Sequence, residues 1–154
     1  MKIESSAFAH GAHIPEPYTR FGENQSPPLV FRDVPTQARS LALIVDDPDA
    51  PRGTFTHWIV FNLEPTVEGL KEGFHVADAR EGNNDWQELG YGGPRPPDGE
   101  HRYFFKLYAL DRKLDCPNGA GRAQIDEALC GHVIAEAELM GRFATPVQAE
   151  RDAR

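Results

Sequence analysis

The sequence predicts a mainly β protein with a few short helices, and two observations carry that prediction. Prolines at positions 15, 17, 27, 28 and 35 punctuate the first third of the chain, and each removes a backbone donor and fixes φ, so no long helix fits there. Elsewhere, short runs of branched and aromatic residues are separated by Gly, Pro, Asn and Asp, the pattern of strands and their turns. In chain order, Pro28-Leu29-Val30-Phe31 reads as a short strand. Leu41-Ala42-Leu43-Ile44-Val45 is continuously apolar and ends at Asp46-Asp47-Pro48, which suits a strand buried on both faces. Residues 54–63 form the next strand, whose alternation places Trp58, Val60 and Asn62 on one face and His57, Ile59 and Phe61 on the other. Residues 103–110 make a third, aromatic strand. Ile125, Ala128 and Leu129 have helical spacing within residues 123–130, which then meet Gly131. Residues 132–140 read two ways: Ala and Glu favour helix, while Val133, Ala135, Ala137 and Leu139 alternate at a strand period.

At 154 residues the chain has the size of one domain, expected over residues 1–146 with a frayed tail at 147–154. Nine Phe, four Tyr and two Trp supply large surfaces for a core. A formal net charge of -8 without clustered Lys or Arg argues against nucleic acid and against an anionic membrane surface. No apolar run approaches the ~20 residues that cross a bilayer, and no basic-then-apolar leader opens the chain, so the expected location is the cytoplasm without integral membrane association. Cys116 and Cys130 have no zinc or redox spacing; both are expected to be free thiols, Cys130 as a small core residue.

Two stiff turns carry the chemistry. One is Asp46-Asp47-Pro48-Asp49-Ala50-Pro51, which leads to His57-Trp58. The other runs from Gly92-Gly93-Pro94-Arg95-Pro96-Pro97 through Gly99 to His101-Arg102-Tyr103. Asp47 at a strand exit can orient an imidazole, and His57 inside an apolar strand needs partners for its ring nitrogens. His101 and Tyr103, two apart on a strand, share a face. Gly92 and Gly93 admit φ values closed to other residues and can expose backbone N–H groups, while Pro94, Pro96 and Pro97 stiffen the loop. Three chemistries compete for this cluster. A metal triad of Asp47, His57 and His101 lacks any HxH or HExxH spacing. A hydrolase lacks its nucleophile, since no Ser sits in an elbow pattern and neither Cys is near. An anion pocket needs only imidazole, phenol and backbone donors, and those are present.

With these residues in view, the chain resembles the phosphatidylethanolamine-binding protein family, in its bacterial and archaeal Raf-kinase-inhibitor-like branch. The resemblance rests on Asp47-Pro48-Asp49-Ala50-Pro51, on His57-Trp58 leading to Asn62, on Tyr91-Gly92-Gly93-Pro94 and on His101-Arg102-Tyr103. Phe21-Gly22-Glu23-Asn24, Tyr108-Ala109-Leu110 and Gly131-His132-Val133-Ile134-Ala135 add weaker support. It implies an antiparallel β-sandwich with a Greek-key core and a few short peripheral helices, and it makes residues 133–139 a strand. It also implies a non-enzymatic binding protein, without cofactor or metal, whose anion pocket is lined by Asp47, His57, His101 and Tyr103 beside the Gly93 to Arg95 backbone. Pro48, Pro94, Pro97 and Phe55 would support that pocket. Asp47 with His57 is expected to be the orienting half, and His101 with Tyr103 the donating half. A small anionic ligand such as phosphate, a phospho-headgroup or a carboxylate, a protein kinase or protease to modulate, and a homodimer are the partners implied. Arg95 stands where many bacterial members carry Cys, so either it clamps the anion or it points to solvent.

Overall fold

The computed structural model describes residues 1–74 and 79–146. Eight strands occur among them: β1 (Lys2–Glu4), β2 (Leu29–Arg32), β3 (Ser40–Asp47), β4 (Phe55–Leu63), β5 (Gly69–Leu70), β6 (Arg80–Glu81), β7 (Glu100–Leu110) and β8 (Val133–Ala144). One α-helix, α1 (Arg122–Leu129), and a 3-10 turn at Glu16–Tyr18 are the helical pieces. All strand pairings are antiparallel and form two sheets, ordered β1-β2-β5 and β6-β4-β3-β7-β8. The predicted β class and the short helix after residue 121 are therefore both present. No helix among the described residues is long and apolar enough to cross a membrane.

The central strands β3 and β4 are buried on both faces, which is why β3 reads as an unbroken apolar run. On one face Leu43, Val45, Trp58, Val60, Phe105 and Leu107 meet Ile3, Leu29, Phe31 and Leu70 of the smaller sheet, and this is the main core between the layers. On the other face Ala42, Ile44, Ile59 and Phe61 are covered by Ile125 and Leu129 of α1 and by Leu114 and Cys116. Cys116 is the buried thiol; Cys130 is exposed, not a core residue, because it caps α1 just before Gly131 turns the chain with φ 81°.

Residues 133–139 are extended, as the alternation and the family resemblance imply and against their helix propensity. β8 pairs with β7 from Glu100↔Ala144 to Leu110↔Val133, so tertiary pairing outweighs local preference. Its outer edge is partly closed by the N-terminal segment, where Gly11 N–H donates to Met140 O and Arg142 N–H to Ala12 O.

The face assignment within β4 needs correction, for a physical reason. Val45 pairs with Trp58 but Asp46 pairs with Thr56, so His57 is the extra residue of a β-bulge. The bulge breaks the alternation: His57 leaves the face of Ile59 and Phe61 and sits with Trp58 on the core side, against Tyr103. A second irregularity lies between Leu41 and Leu43, and Asn62 adopts φ 56°. Asn62 turns to the opposite side from Trp58, donating to Leu114 O (2.9 Å) and accepting Leu114 N–H (2.7 Å).

Candidate functional site

β3, β4 and β7 end side by side, and their ends bring Asp47, His57, His101 and Tyr103 together. Asp47 is the last residue of β3 and is buried there. His101 is the second residue of β7, and its Nδ1–H donates to Asp47 Oδ2 at 2.6 Å. The other Asp47 oxygen accepts the N–H of Asp49 (2.8 Å), which closes the Asp-Pro-Asp turn. Asp49 in turn receives the backbone N–H, Nε and a terminal nitrogen of Arg102, each at 2.9 Å. Those bonds hold its carboxyl at about 2, well below the usual carboxylate range. The two motifs are thus tied directly, turn to strand.

The partner of Asp47 is His101, not His57, so the expected division into halves changes. His57 is oriented by a backbone carbonyl: its Nδ1–H donates to Gly92 O at 2.7 Å, and Gly92 N–H returns to His57 O at 2.9 Å. Both imidazoles therefore carry their proton on Nδ1 when neutral and keep Nε2 for another partner. Burial holds His57 below its ordinary imidazole value. The Tyr103 phenol is pushed upward, mainly by burial and then by the nearby Asp47 charge, so it stays a protonated donor. Its hydroxyl is fully buried and has no hydrogen-bond partner among the described residues.

Three residues at this site escape a reading by motif. Trp86 stands edge-on to His57 (5.0 Å between centroids) and to Phe55 (4.6 Å). The guanidinium of Arg20 lies 3.7 Å over the Trp86 ring, and its buried Nε has no partner among the described residues. Asn24 Oδ1 accepts the N–H of Gly93 at 2.7 Å. Trp86 lies in the connection between β6 and β7. The turn that presents it is built by Asn84, whose Oδ1 accepts the N–H groups of Trp86 and Glu88 while its Nδ2 donates to Gly90 O. Asn-Asn-Asp before Trp was the available signal. Asn24 belongs to the Phe21-Gly22-Glu23-Asn24 run, but nothing local signals that it and Arg20 reach this site from the N-terminal segment.

The Gly92-Gly93 loop has a different basis from the one expected. Neither glycine has a positive φ; those values fall on Gly90 (96°) and Gly99 (65°). A Cβ on Gly92 would come within 2.5 Å of the Trp86 ring, and one on Gly93 within 2.5 Å of Tyr18 O, so close packing demands glycine. Their N–H groups are spent on His57 O and Asn24 Oδ1, so neither is open to a ligand. Pro94 is buried and its carbonyl accepts Arg20 N–H (3.0 Å), whereas Pro48 and Pro97 are exposed and Phe55 is half-buried. Arg95 is exposed and makes no hydrogen bond among the described residues. Among those residues no group of three or more His, Cys, Asp or Glu is arranged to hold a metal ion.

The profile of the phosphatidylethanolamine-binding protein family matches residues 4–144. A UPF0098 protein of Methanothermobacter thermautotrophicus is 49% identical over 150 residues, covering 93% of this chain and 98% of that protein. A UPF0098 protein of Chlamydia trachomatis is 48% identical over 148 residues, with 93% and 98% covered. Among solved structures, a putative phosphatidylethanolamine-binding protein homologue from Chlamydia trachomatis superposes with a TM-score of 0.90 at 47% identity, covering 94% of this chain and 97% of that one. Escherichia coli YbcL, described as a new member of the mammalian family, gives 0.88 at 28% identity, covering 94% and 98%.

Proposed function

The chain belongs to the phosphatidylethanolamine-binding protein family, and on that premise we propose that it is a non-enzymatic binding protein whose Asp47, His57, His101 and Tyr103 cluster takes a small anion such as phosphate, a phospho-headgroup or a carboxylate. The observation that carries this reading is the buried Tyr103 hydroxyl with no partner. A buried donor left unmade costs free energy, and a site that tolerates the cost is one that a ligand completes. Arg20 adds an Nε without a partner among the described residues behind Trp86, while its terminal nitrogen pairs with Glu88 Oε2 at 3.3 Å. A nucleophile is missing beside these groups: neither cysteine lies on this side of the sheet, and no serine hydroxyl bonds His57 or His101 among the described residues.

The tautomers add a condition. Neutral His57 and His101 each turn a lone pair on Nε2 outward, which repels an anion, so binding requires that the ligand bring a proton or that an imidazole gain one. Affinity for inorganic phosphate therefore rises as pH falls through the histidine range, near ~6.5 for a free imidazole. Calorimetric titration with inorganic phosphate from pH 8 to 5.5 tests this, with His101→Ala as the control. Loss of roughly tenfold or more in affinity in His101→Ala is expected for a charge-assisted contact; affinity unchanged by that substitution would remove the assignment. Modulation of a protein kinase or protease is the finer part of the proposal and rests on the family resemblance. A partner captured equally by His101→Ala and the parent protein would place that contact outside the anion site.

A further inference from the structure

A cavity of about 440 Å³ lies beside Gly90 and Tyr91, and Asp47, His57, His101 and Tyr103 are not among the residues that line it. Its lining includes Glu23, Asn24, Ser26, Phe74, Glu81 and Tyr91, with two carboxylates and no basic side chain among the described residues. Volumes of this order hold small organic ligands. Ser26 is 3% exposed and its hydroxyl has no partner among the described residues, a lack it shares only with Arg20 Nε and the Tyr103 hydroxyl among their buried side-chain atoms. Glu81 is 8% exposed; its Oε2 accepts the indole N–H of Trp58 at 3.0 Å, while Oε1 accepts nothing among the described residues. Gly90, with φ 96°, has no Cβ to crowd Glu81 Oε2, which a Cβ would approach to 2.9 Å. Tyr91 spends its hydroxyl on Tyr18 O (2.5 Å), so the ring and not the phenol oxygen is what it offers the cavity, alongside the Phe74 ring.

We infer that this cavity is a second binding site, for a small organic ammonium carrying an apolar or aromatic group. The ammonium's three donors match Glu81 Oε1, the Ser26 hydroxyl and the Glu23 carboxylate, and the aromatic walls suit the remainder. A bare divalent ion fits less well, since the described lining residues include no third carboxylate or imidazole to complete its shell. This inference is independent of the anion reading, because it uses none of the residues of that cluster.

Phenethylammonium, followed by amide shifts in NMR spectra of the full chain, is the probe, with phenethyl alcohol as the neutral analogue. Saturable shifts at Ser26, Glu81, Gly90 and Tyr91 are expected, with binding at least tenfold tighter than for the alcohol. Glu81→Gln keeps an oxygen for Trp58 and removes the charge; it should weaken binding by tenfold or more. Ser26→Ala removes a hydroxyl that bonds nothing in the free protein, so it should fold normally and weaken binding severalfold. Tyr103→Phe should bind the amine as the parent does. Equal binding of alcohol and amine, binding unchanged in both Ser26→Ala and a folded Glu81→Gln, or no shift at these residues at millimolar amine would each overturn the site.

Discussion

Tyr103 and His57 illustrate how single side chains carry an imbalance that a ligand or a proton can resolve. The Tyr103 hydroxyl is desolvated without compensation, so replacing it by hydrogen removes a cost from the free protein. Tyr103→Phe is expected to raise unfolding stability by about 1 kcal/mol while weakening phosphate binding, and urea unfolding with and without phosphate reads both. Lower stability in the free protein would show that the hydroxyl is satisfied after all. For His57, burial favours the neutral ring, so the folded state binds a proton less readily than the unfolded one. Its contribution is complete above the unfolded value of ~6.5 and is lost as pH falls below it, with a slope of at most about 1.4 kcal/mol per pH unit. Urea midpoints of the parent protein between pH 8 and 5 should fall more steeply than those of His57→Gln, and parallel curves would contradict the assignment. Residue chemistry of this kind is legible in the sequence: the motifs mark Asp47, His57, His101 and Tyr103, and the strand ends bring them together. Their pairing was not legible, since His101 reaches Asp47 across 54 positions and His57 takes a carbonyl from a loop.

At the scale of elements, the decisive pieces are the β4 bulge, the double-glycine loop and the docking of α1. Strict alternation is the best rule a strand sequence offers, and one inserted residue defeats it; only the register against β3 reveals that His57 faces the core side. Asp46, the neighbour of Asp47 in β3, points to the opposite face and is closed by Lys106 (3.1 Å), Thr56 (3.2 Å) and Arg122 of α1. Arg122→Ala removes one of those partners from a buried carboxylate, and a loss of about 1–3 kcal/mol is expected, short of the full penalty because Lys106 remains. Asp126→Ala breaks only the exposed i,i+4 pair with Arg122 and should cost no more than about 0.5 kcal/mol. Chemical denaturation of the two variants compares them directly. In the loop, Gly93→Ala must displace Tyr18 O or Asn24, whereas a Cβ on Gly121 meets nothing within 4 Å. Gly93→Ala should therefore destabilise by about 1–3 kcal/mol and Gly121→Ala by much less, measured by thermal melting.

Across the whole molecule, the β class, the three central strands, the short helix and the extended β8 follow from local pattern and resemblance. The hydrophobic period is a local property, and so the elements that own a clean period are the ones a sequence displays. β1, β5 and β6 are two or three residues long and have no period to show. They exist because larger neighbours pair them: Ile3 against Phe31, Leu70 against Leu29 and Glu81 against Val60. The N-terminal segment supplies Arg20, Asn24 and Ser26 to two separate places by long-range contacts alone, which no local signal can foretell. Because β7 pairs with β3 only after the intervening chain has turned back, most of the sheet depends on contacts distant in sequence. Refolding from urea is accordingly expected on the millisecond-to-second scale, and microsecond refolding would argue that local structure leads.

The aromatic fence around His57 makes the site spectroscopically self-reporting. Phe55, Trp86 and Tyr103 surround one imidazole with ring centroids at 5.1, 5.0 and 5.1 Å. Circulating π-electrons displace the magnetic field felt by nearby protons, and the displacement changes steeply with ring angle and distance. The carbon-bound protons of His57 should therefore resonate well away from those of His10, His13 and His132, and a single pair of unlabelled signals would follow protonation, ligand entry and any movement of Trp86 at once.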